Sequence, residues 1–265
     1  MNKPLVSIIL STYNGSKYIT DSIKSVLNQT YKNFEFIIIN DFSNDSVEDI
    51  ILNFQKKDNR IIYIKNKKNL KLTKSLNKWL KVAKWKYIAR IDDDDIWFKN
   101  KLEKQVNFME NNKNYWLCWT STIIINNYWK EIQKVKMREN NEEIKNNILK
   151  SNQFTHSNII IRKSNLDKVW WFYNEKYNWA EDYELWLRIW KISKFYNIPD
   201  FLVKYRWLDS SISRKKWFKQ EILSFKIMLL YKKYYFNFYK AFILRLSSIL
   251  IPQKIKKNIL NIIKK

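Results

Sequence analysis

Short apolar runs alternate with amphipathic stretches through the first hundred residues. Leu5–Leu10, Phe34–Ile39, Arg60–Lys65 and Tyr87–Ile91 are β-branched or aromatic runs too short for buried helices, so they predict strands. Between them, apolar residues recur at helical spacing from Ser16 to about Asn28, from Val47 to about Lys56 and from Leu72 to Ala83. Ser16 and the polar cluster Asn40–Asp45 stand where helix N-caps belong. Strand and helix alternate four times, which predicts βαβ units: an α/β fold with a mostly parallel sheet flanked by helices. Each strand ends in polar residues, so Ser11, Tyr13, Asp41 and the aspartates after Ile91 gather at one edge of the sheet.

The pattern loosens after residue 98. Asn100–Glu110 reads as a helix, Tyr115–Ile125 as a strand, and Glu131–Lys150 as a charged linker with a helix. His156–Arg162 reads as a strand and Ala180–Ile192 as a helix with Glu181 and Asp182 in its first turn, where acids suit the helix dipole. From about residue 216 the chain becomes a basic amphipathic helical tail: one helix over Ile222–Ser248, and a second introduced by Pro252 and running to Lys265. The expected organisation is a nucleotide-binding half over 1–98, an acceptor-binding half over 99–215, and the tail over 216–265.

Composition changes this picture in two respects. The formal net charge is +25, which favours an anionic partner, although abundant Lys, Asn and Ile beside scarce Ala, Pro and Gly also mark an AT-rich genome. The single cysteine, Cys118, excludes an intramolecular disulfide. No apolar run reaches the roughly 20 residues of a membrane span, and no leader pattern opens the chain. A cytoplasmic protein is expected, with the tail in peripheral contact with an anionic membrane at its inner face.

The fourth strand runs into four consecutive carboxylates, Asp92–Asp95. Adjacent carboxylates repel, and burial raises their pKa unless a cation sits among them. Mg²⁺ and Mn²⁺ prefer oxygen ligands, often one or two carboxylates plus substrate phosphates. A bare acidic run is more simply a solvated, helix-capping turn. At the C-terminal end of a central strand, where open α/β sheets bind ligands, it points instead to a metal–diphosphate site.

A series of segments resembles the family 2 glycosyltransferases, inverting enzymes with the Rossmann-like GT-A fold, over residues 4–215. They are Val6-Ser-Ile-Ile-Leu-Ser-Thr-Tyr-Asn14, Val26-Leu-Asn-Gln-Thr-Tyr31, Phe36-Ile-Ile-Ile-Asn-Asp-Phe-Ser-Asn-Asp45, Asn69, Ser75-Leu-Asn77, Tyr87-Ile-Ala-Arg-Ile-Asp-Asp-Asp-Asp-Ile96, Lys101-Leu-Glu-Lys-Gln105 and Ala180-Glu-Asp-Tyr-Glu-Leu-Trp-Leu-Arg188. Singly these are weak; their order and spacing are specific. The resemblance implies transfer of a sugar from a nucleotide-diphosphate donor, a UDP-sugar first, to a hydroxyl of a cell-surface polysaccharide, lipopolysaccharide or glycolipid. By position, it places Ser11 and Tyr13 at the nucleotide and Asp41 at the base. Asp92 lies near the ribose and diphosphate, Asp93 fills the variable middle position among the nucleotide-binding residues, and Asp94 with Asp92 holds Mg²⁺ or Mn²⁺. It makes Asp182 the general base, with Glu181 and His156 as acceptor-site candidates. Arg188 and Arg206 are candidates for phosphate contact, against a default of packing. A metal-dependent nucleotidyltransferase and a basic nucleic-acid-binding protein are the alternative readings. The first would not call for Glu181-Asp182, and no specific nucleic-acid motif supports the second.

One feature departs from the family. The chain has 1 glycine, Gly15, and 13 tryptophans, and tryptophan stands where glycine is usual in the family at 79, 85, 116, 119, 129, 170 and 171. Glycine serves positive φ or close backbone approach, which tryptophan cannot do cheaply. The expectation is that UGA codons are read as glycine and were translated here as tryptophan. Trp186 matches a family tryptophan. Phe42 and Lys71 also stand at usual glycine positions, and recoding does not explain them.

Overall fold

A computed structural model describes residues 5–80, 86–166, 169, 173–208, 216–235 and 237–250. The first half follows the expected alternation closely: β1 (Val6–Thr12), α1 (Ile19–Leu27), β2 (Phe34–Asn40), α2 (Val47–Gln55), β3 (Ile61–Lys65), α3 (Leu72–Leu80) and β4 (Tyr87–Arg90). β1 pairs in parallel with β2 on one side and β4 on the other, and β2 pairs in parallel with β3. Period-2 geometry sends alternate side chains to opposite faces. Val6, Ile8 and Leu10 of β1 therefore join the core under α1, α2 and α4 (Lys101–Asn111), while Ile9 joins the other core, under α3. Burial on both faces is why these strands read as continuous apolar runs. On α1, Ile19, Ile23 and Val26 are wholly buried at i, i+4 and i+7, each worth roughly 2 kcal/mol.

The second half is a mixed sheet. A two-residue strand β5 (Ile96–Trp97) precedes α4. There follow β6 (Tyr115–Ile125), β7 (Glu131–Val135), α5 (Asn141–Lys145), β8 (Ile160–Arg162), α6 (Lys163–Leu166), α7 (Glu181–Trp190) and β9 (Lys194–Arg206). The strand order is β3-β2-β1-β4-β8-β6-β9-β5, with β7 on β6. β8 is antiparallel to both β4 and β6, whereas β6 and β9 are parallel.

Several expectations change here. β7 occupies part of the expected linker; its exposed, charged residues are held by ladder hydrogen bonds to β6 rather than by burial. His156 begins a 3₁₀ turn, His156–Asn158, and the strand starts only at Ile160. β9 has no counterpart in the sequence reading because Pro199-Asp200 interrupts its pattern. The sheet absorbs the interruption as a bulge, with partners of Thr120 and Ser121 jumping from Ile198 to Phe201. Ser16 does not cap α1, whose N-cap position is Tyr18. The tail helix is two helices, α8 (Trp217–Tyr231) and α9 (Phe238–Leu250), separated where Asn237 takes φ 60°. The expected helix over 252–265 and the end of the third helix at 81–83 lie outside the described residues.

Candidate active site

Because β1 to β4 are parallel, the segments that follow them meet at one edge. Asp41 N–H donates to Thr12 O at 2.9 Å and Asn66 N–H to Asn40 O at 2.9 Å, joining the first three loops. Asp41 is 2% exposed, and its Oδ1 accepts from Asn66 Nδ2 at 2.8 Å and Leu70 N–H at 2.9 Å. Asn66 Nδ2 also donates to Ser75 Oγ at 2.8 Å, and Ser11 Oγ lies 3.4 Å from Ser75 Oγ. Ser11 and Asp41 thus belong to one hydrogen-bonded chain. Tyr13 stands exposed at the rim. Phe42 (φ 66°) and Lys71 (φ 68°) hold left-handed turns in this edge despite their side chains, the conformation for which glycine is favoured.

Gly15 is needed for a different reason. A Cβ there would collide with the Asp93 carboxylate and Thr12 Oγ1, so the backbone after β1 lies directly against the acidic turn. Thr12 Oγ1 in turn donates to Asp93 Oδ2.

The acidic turn is held from several directions. Asp95 is fully buried; its Oδ1 accepts from Arg206 N–H at 2.9 Å, and its carbonyl from Ser22 Oγ at 2.7 Å. Arg206 Nε donates to Asp94 O at 3.0 Å, which fixes Arg206 as a backing residue and not a surface arginine. Burial, opposed by the Thr12 hydroxyl and reinforced by Asp92, pushes Asp93 up to about 6. Burial and the charges of Asp93 and Asp92 push Asp94 up to about 8. Asp95 is raised well above the usual range by burial, then by Asp94 and Asp92.

This donor set fits a hard divalent cation. It offers carboxylate oxygens only, the Asp94 carboxylate accepts from its own backbone N–H and from no other described residue, and a cation would reverse the repulsion that raises it. Asp92 is already paired with Arg90 Nη2 at 2.5 Å, which leaves Asp94 as the more available ligand. Among the described residues no group of three His, Cys, Asp or Glu side chains is placed to hold a metal ion, so further ligands would have to come from a diphosphate and water.

Arg90 links the two halves. Its side chain is 5% exposed, and although burial works against its charge, Asp92, Tyr173, Glu181 and Asp182 together raise its pKa. α7 delivers the last two. Glu181 Oε2 accepts from Trp179 N–H at 2.7 Å, and burial followed by the charge of Asp182 lifts Glu181 to about 7. Burial also raises Asp182, against hydrogen bonds from Tyr183 N–H at 2.7 Å and Asn152 Nδ2 at 2.8 Å. His156 Nε2 lies 2.5 Å from the Tyr173 hydroxyl. Burial and then Arg90 hold His156 well below its usual pKa, while burial raises Tyr173. The neutral imidazole therefore accepts from the protonated phenol, which suits a packing role better than proton transfer. Arg188 ion-pairs with Glu184 at 3.0 Å and donates to Val169 O, away from the acidic turn.

Residues 7–170 match the family described as glycosyl transferase family 2. The chain belongs to glycosyltransferase family 2. Family membership selects sugar transfer over the nucleotidyltransferase and nucleic-acid readings. An uncharacterised glycosyltransferase of Methanocaldococcus jannaschii is 38% identical over 280 residues, covering 99% of this chain and 94% of its own. A UDP-Glc:alpha-D-GlcNAc-diphosphoundecaprenol beta-1,3-glucosyltransferase, WfaP, of Escherichia coli is 36% identical over 191 residues, 70% of each chain. In fold, the glycosyltransferase is similar to the crystal structure of S. aureus TarS 1–349 in complex with UDP-GlcNAc, with TM-score 0.69, 19% identity, and 84% of this chain against 66% of that one. It is similar too to the mannosyltransferase PcManGT from Pyrobaculum calidifontis in complex with GDP-Man and Mn²⁺, with TM-score 0.68, 12% identity, and 94% against 70%. These likenesses establish the GT-A fold.

Arg90, Asn66, Tyr173 and Asn152 contact the candidate residues Asp92, Asp41, His156 and Asp182, and the sequence did not single them out. Arg90 carried a signal: an arginine inside an otherwise apolar run, two residues before Asp92, must be buried with a partner.

Proposed function

We propose that this glycosyltransferase transfers a sugar, with inversion, from a nucleotide-diphosphate sugar to a hydroxyl of a surface polysaccharide, lipopolysaccharide or glycolipid acceptor. A UDP-sugar is the first candidate donor. The observation that carries the reading is Arg90, which feels the acidic turn at the end of β4 and the Glu181-Asp182 pair at the start of α7 together. Such a juxtaposition is what a single displacement needs: leaving diphosphate on one side and acceptor hydroxyl on the other. In this reading Ser11, Tyr13, Asp41, Asp92 and Asp93 bind the nucleotide and ribose, and Asp94 with Asp92 would hold Mg²⁺ or Mn²⁺. The metal, when bound, would offset charge on the departing diphosphate. Asp182 takes the proton of the attacking hydroxyl, and Glu181 lies beside it. The donor and acceptor named for WfaP, the UDP-GlcNAc bound to TarS and the Mn²⁺ bound to PcManGT support these assignments.

The deciding experiment is calorimetric titration with UDP, GDP and dTDP, with and without Mn²⁺. Manganese-dependent binding of one nucleotide fixes the donor class. Folded protein that binds none of them overturns the reading.

The proposal extends to the tail. No described helix is long and apolar enough to cross a membrane. α8, the 3₁₀ turn Lys232–Tyr234 after it and α9 nevertheless expose Leu230, Tyr234, Tyr239, Ile243 and Leu250 along with Lys226, Lys232, Lys233 and Lys240, a combination suited to peripheral contact with an anionic membrane. Co-sedimentation with phosphatidylglycerol vesicles, lost when Ile243 and Leu250 become Glu, tests it.

It extends also to the tryptophans. Trp129 (φ 67°) and Trp179 (φ 83°) take left-handed backbone, which supports UGA read as glycine. Among the described residues, Trp79 and Trp119 bury indole nitrogens without hydrogen-bond partners, as does Trp186. Trp85, Trp170 and Trp171 lie outside the described residues. UGG codons at these positions would sink the idea.

A further inference from the structure

The Asp182 carboxylate is held at both oxygens: Oδ1 accepts from Tyr183 N–H at 2.7 Å and Oδ2 from Asn152 Nδ2 at 2.8 Å. Asn152 is itself fixed. Its Oδ1 accepts from Phe154 N–H at 3.2 Å, an Asx turn that leaves the amide nitrogen facing Asp182. Exchanging amide oxygen and nitrogen would break both bonds, so the network determines the amide's orientation. The adjacent Gln153, 7% exposed, anchors the same loop. It accepts from Arg138 Nη1 at 2.9 Å and donates to Ser151 Oγ at 2.7 Å and Ser151 O at 3.0 Å. Asn152 itself is exposed and Asp182 half-buried, so the contact lies on the solvent side of the carboxylate.

We propose that Asn152 is the positioning residue of the general base: its amide sets the plane of the Asp182 carboxylate and favours its ionised form while an acceptor hydroxyl approaches. This rests on Asp182 being the base. Among the described residues, Arg90, Glu181 and Tyr173 are the other charged or titratable groups facing Asp182. Among the described residues, Asn152 is the side chain that hydrogen-bonds it. A donor to a carboxylate favours the charged form, so removing it raises the pKa of the base.

Two variants separate this role from loop anchoring. Asn152→Ala loses both bonds. Asn152→Asp keeps an oxygen for Phe154 N–H, and with it the turn, but replaces the donor to Asp182 with a carboxylate whose charge opposes the ionised base still more than loss of the donor does. UDP release from UDP-glucose and UDP-GlcNAc with Mn²⁺ is followed across pH, with water and a panel of alkyl glycosides as acceptors. UDP affinity is measured separately by calorimetry. Both variants are expected to lower kcat roughly ten- to hundred-fold, the worth of one hydrogen bond to a charged group. They should also move the acidic limb of the kcat profile to higher pH and leave UDP affinity unchanged, with Asn152→Gln restoring part of the rate. Wild-type kcat and an unshifted limb in both variants, with Asp182→Asn inactive, would overturn the proposal alone. Full activity of Asp182→Asn would overturn the base assignment beneath it. A crystal structure of Asn152→Ala with the Asp182 carboxylate unmoved would also refute the positioning role.

Discussion

The half up to residue 98 and the half that follows it contribute to one site by different means. In the first, parallel strands with buried faces bring four loops to a common edge, and the groups there are held by short-range ladders and loop-to-loop bonds. In the second, no regular alternation delivers Asp182, the proposed base. α7 is located by packing and by individual bonds between distant segments, such as Asn77 with Tyr173 and Asn152 with Asp182. A topology that repeats makes a binding edge almost automatically, whereas the acceptor side has to be assembled contact by contact. Variation in substrate should therefore concentrate in the second half.

Two substitutions test that division most strongly. Asp182→Asn should cut transfer by about 10²- to 10⁴-fold, the usual contribution of a general base, with nucleotide binding intact. Asp94→Ala should abolish manganese-dependent UDP binding and lose transfer with it. If both variants lost binding equally, the two halves would not be functionally separable.

Arg90 joins the halves, so its loss should damage both. Arg90→Met keeps volume but leaves Asp92, Glu181 and Asp182 without their shared buried cation. Removing one partner of a buried pair costs about 3 kcal/mol or more, read as a fall in the urea midpoint at pH 7. The loss should shrink at pH 5, where more of Glu181 and Asp182 is protonated, because burial raises both.

The metal-free protein should itself respond to pH in an unusual direction. Asp93, Glu181 and Asp94 titrate at about 6, 7 and 8 in the fold, above roughly 4 for unfolded carboxyls. Between those limits the native state binds more protons than the unfolded chain, so stability falls as pH rises. Thermal melting should drop from pH 5 to pH 8, and Mn²⁺ with UDP should restore it most at pH 8. A melting temperature that rises over this range without metal would mean the acidic turn is not the repulsive cluster described here.

Sequence made the first half legible because its signals are local. Buried strands show as apolar runs, and the acids at the end of β4 are consecutive. The place of Glu181 and Asp182 in the first turn of α7 was legible from the helical pattern that follows them. The bonds that complete the site were not, because their partners are far apart in the chain: 25 residues for Asn66 with Asp41, 30 for Asn152 with Asp182, and 111 for Arg206 with Asp95. β9 was hidden for another reason. Pro199-Asp200 destroys its period, and only pairing with β6 across a bulge makes it a strand.

The smallest expected effect bears on how the second half is built. Trp179 takes φ 83° two residues before Glu181, whose carboxylate accepts its N–H at 2.7 Å. Left-handed backbone costs a bulky residue about 1–2 kcal/mol, and glycine removes that cost. The indole contributes in return: the Lys219 ammonium lies 4.2 Å from its ring centroid, an exposed cation–π contact worth about 0.5–1 kcal/mol. Trp179→Gly should therefore stabilise by about 0.5–1 kcal/mol, read as a higher melting temperature. Trp119→Gly, made in the buried core of β6 where the ring packs edge-on against Phe154 with centroids 4.2 Å apart, should destabilise if tryptophan is the native residue. If both substitutions stabilise, glycine belongs at Trp119 too, and recoding reaches the core of the sheet as well as its turns.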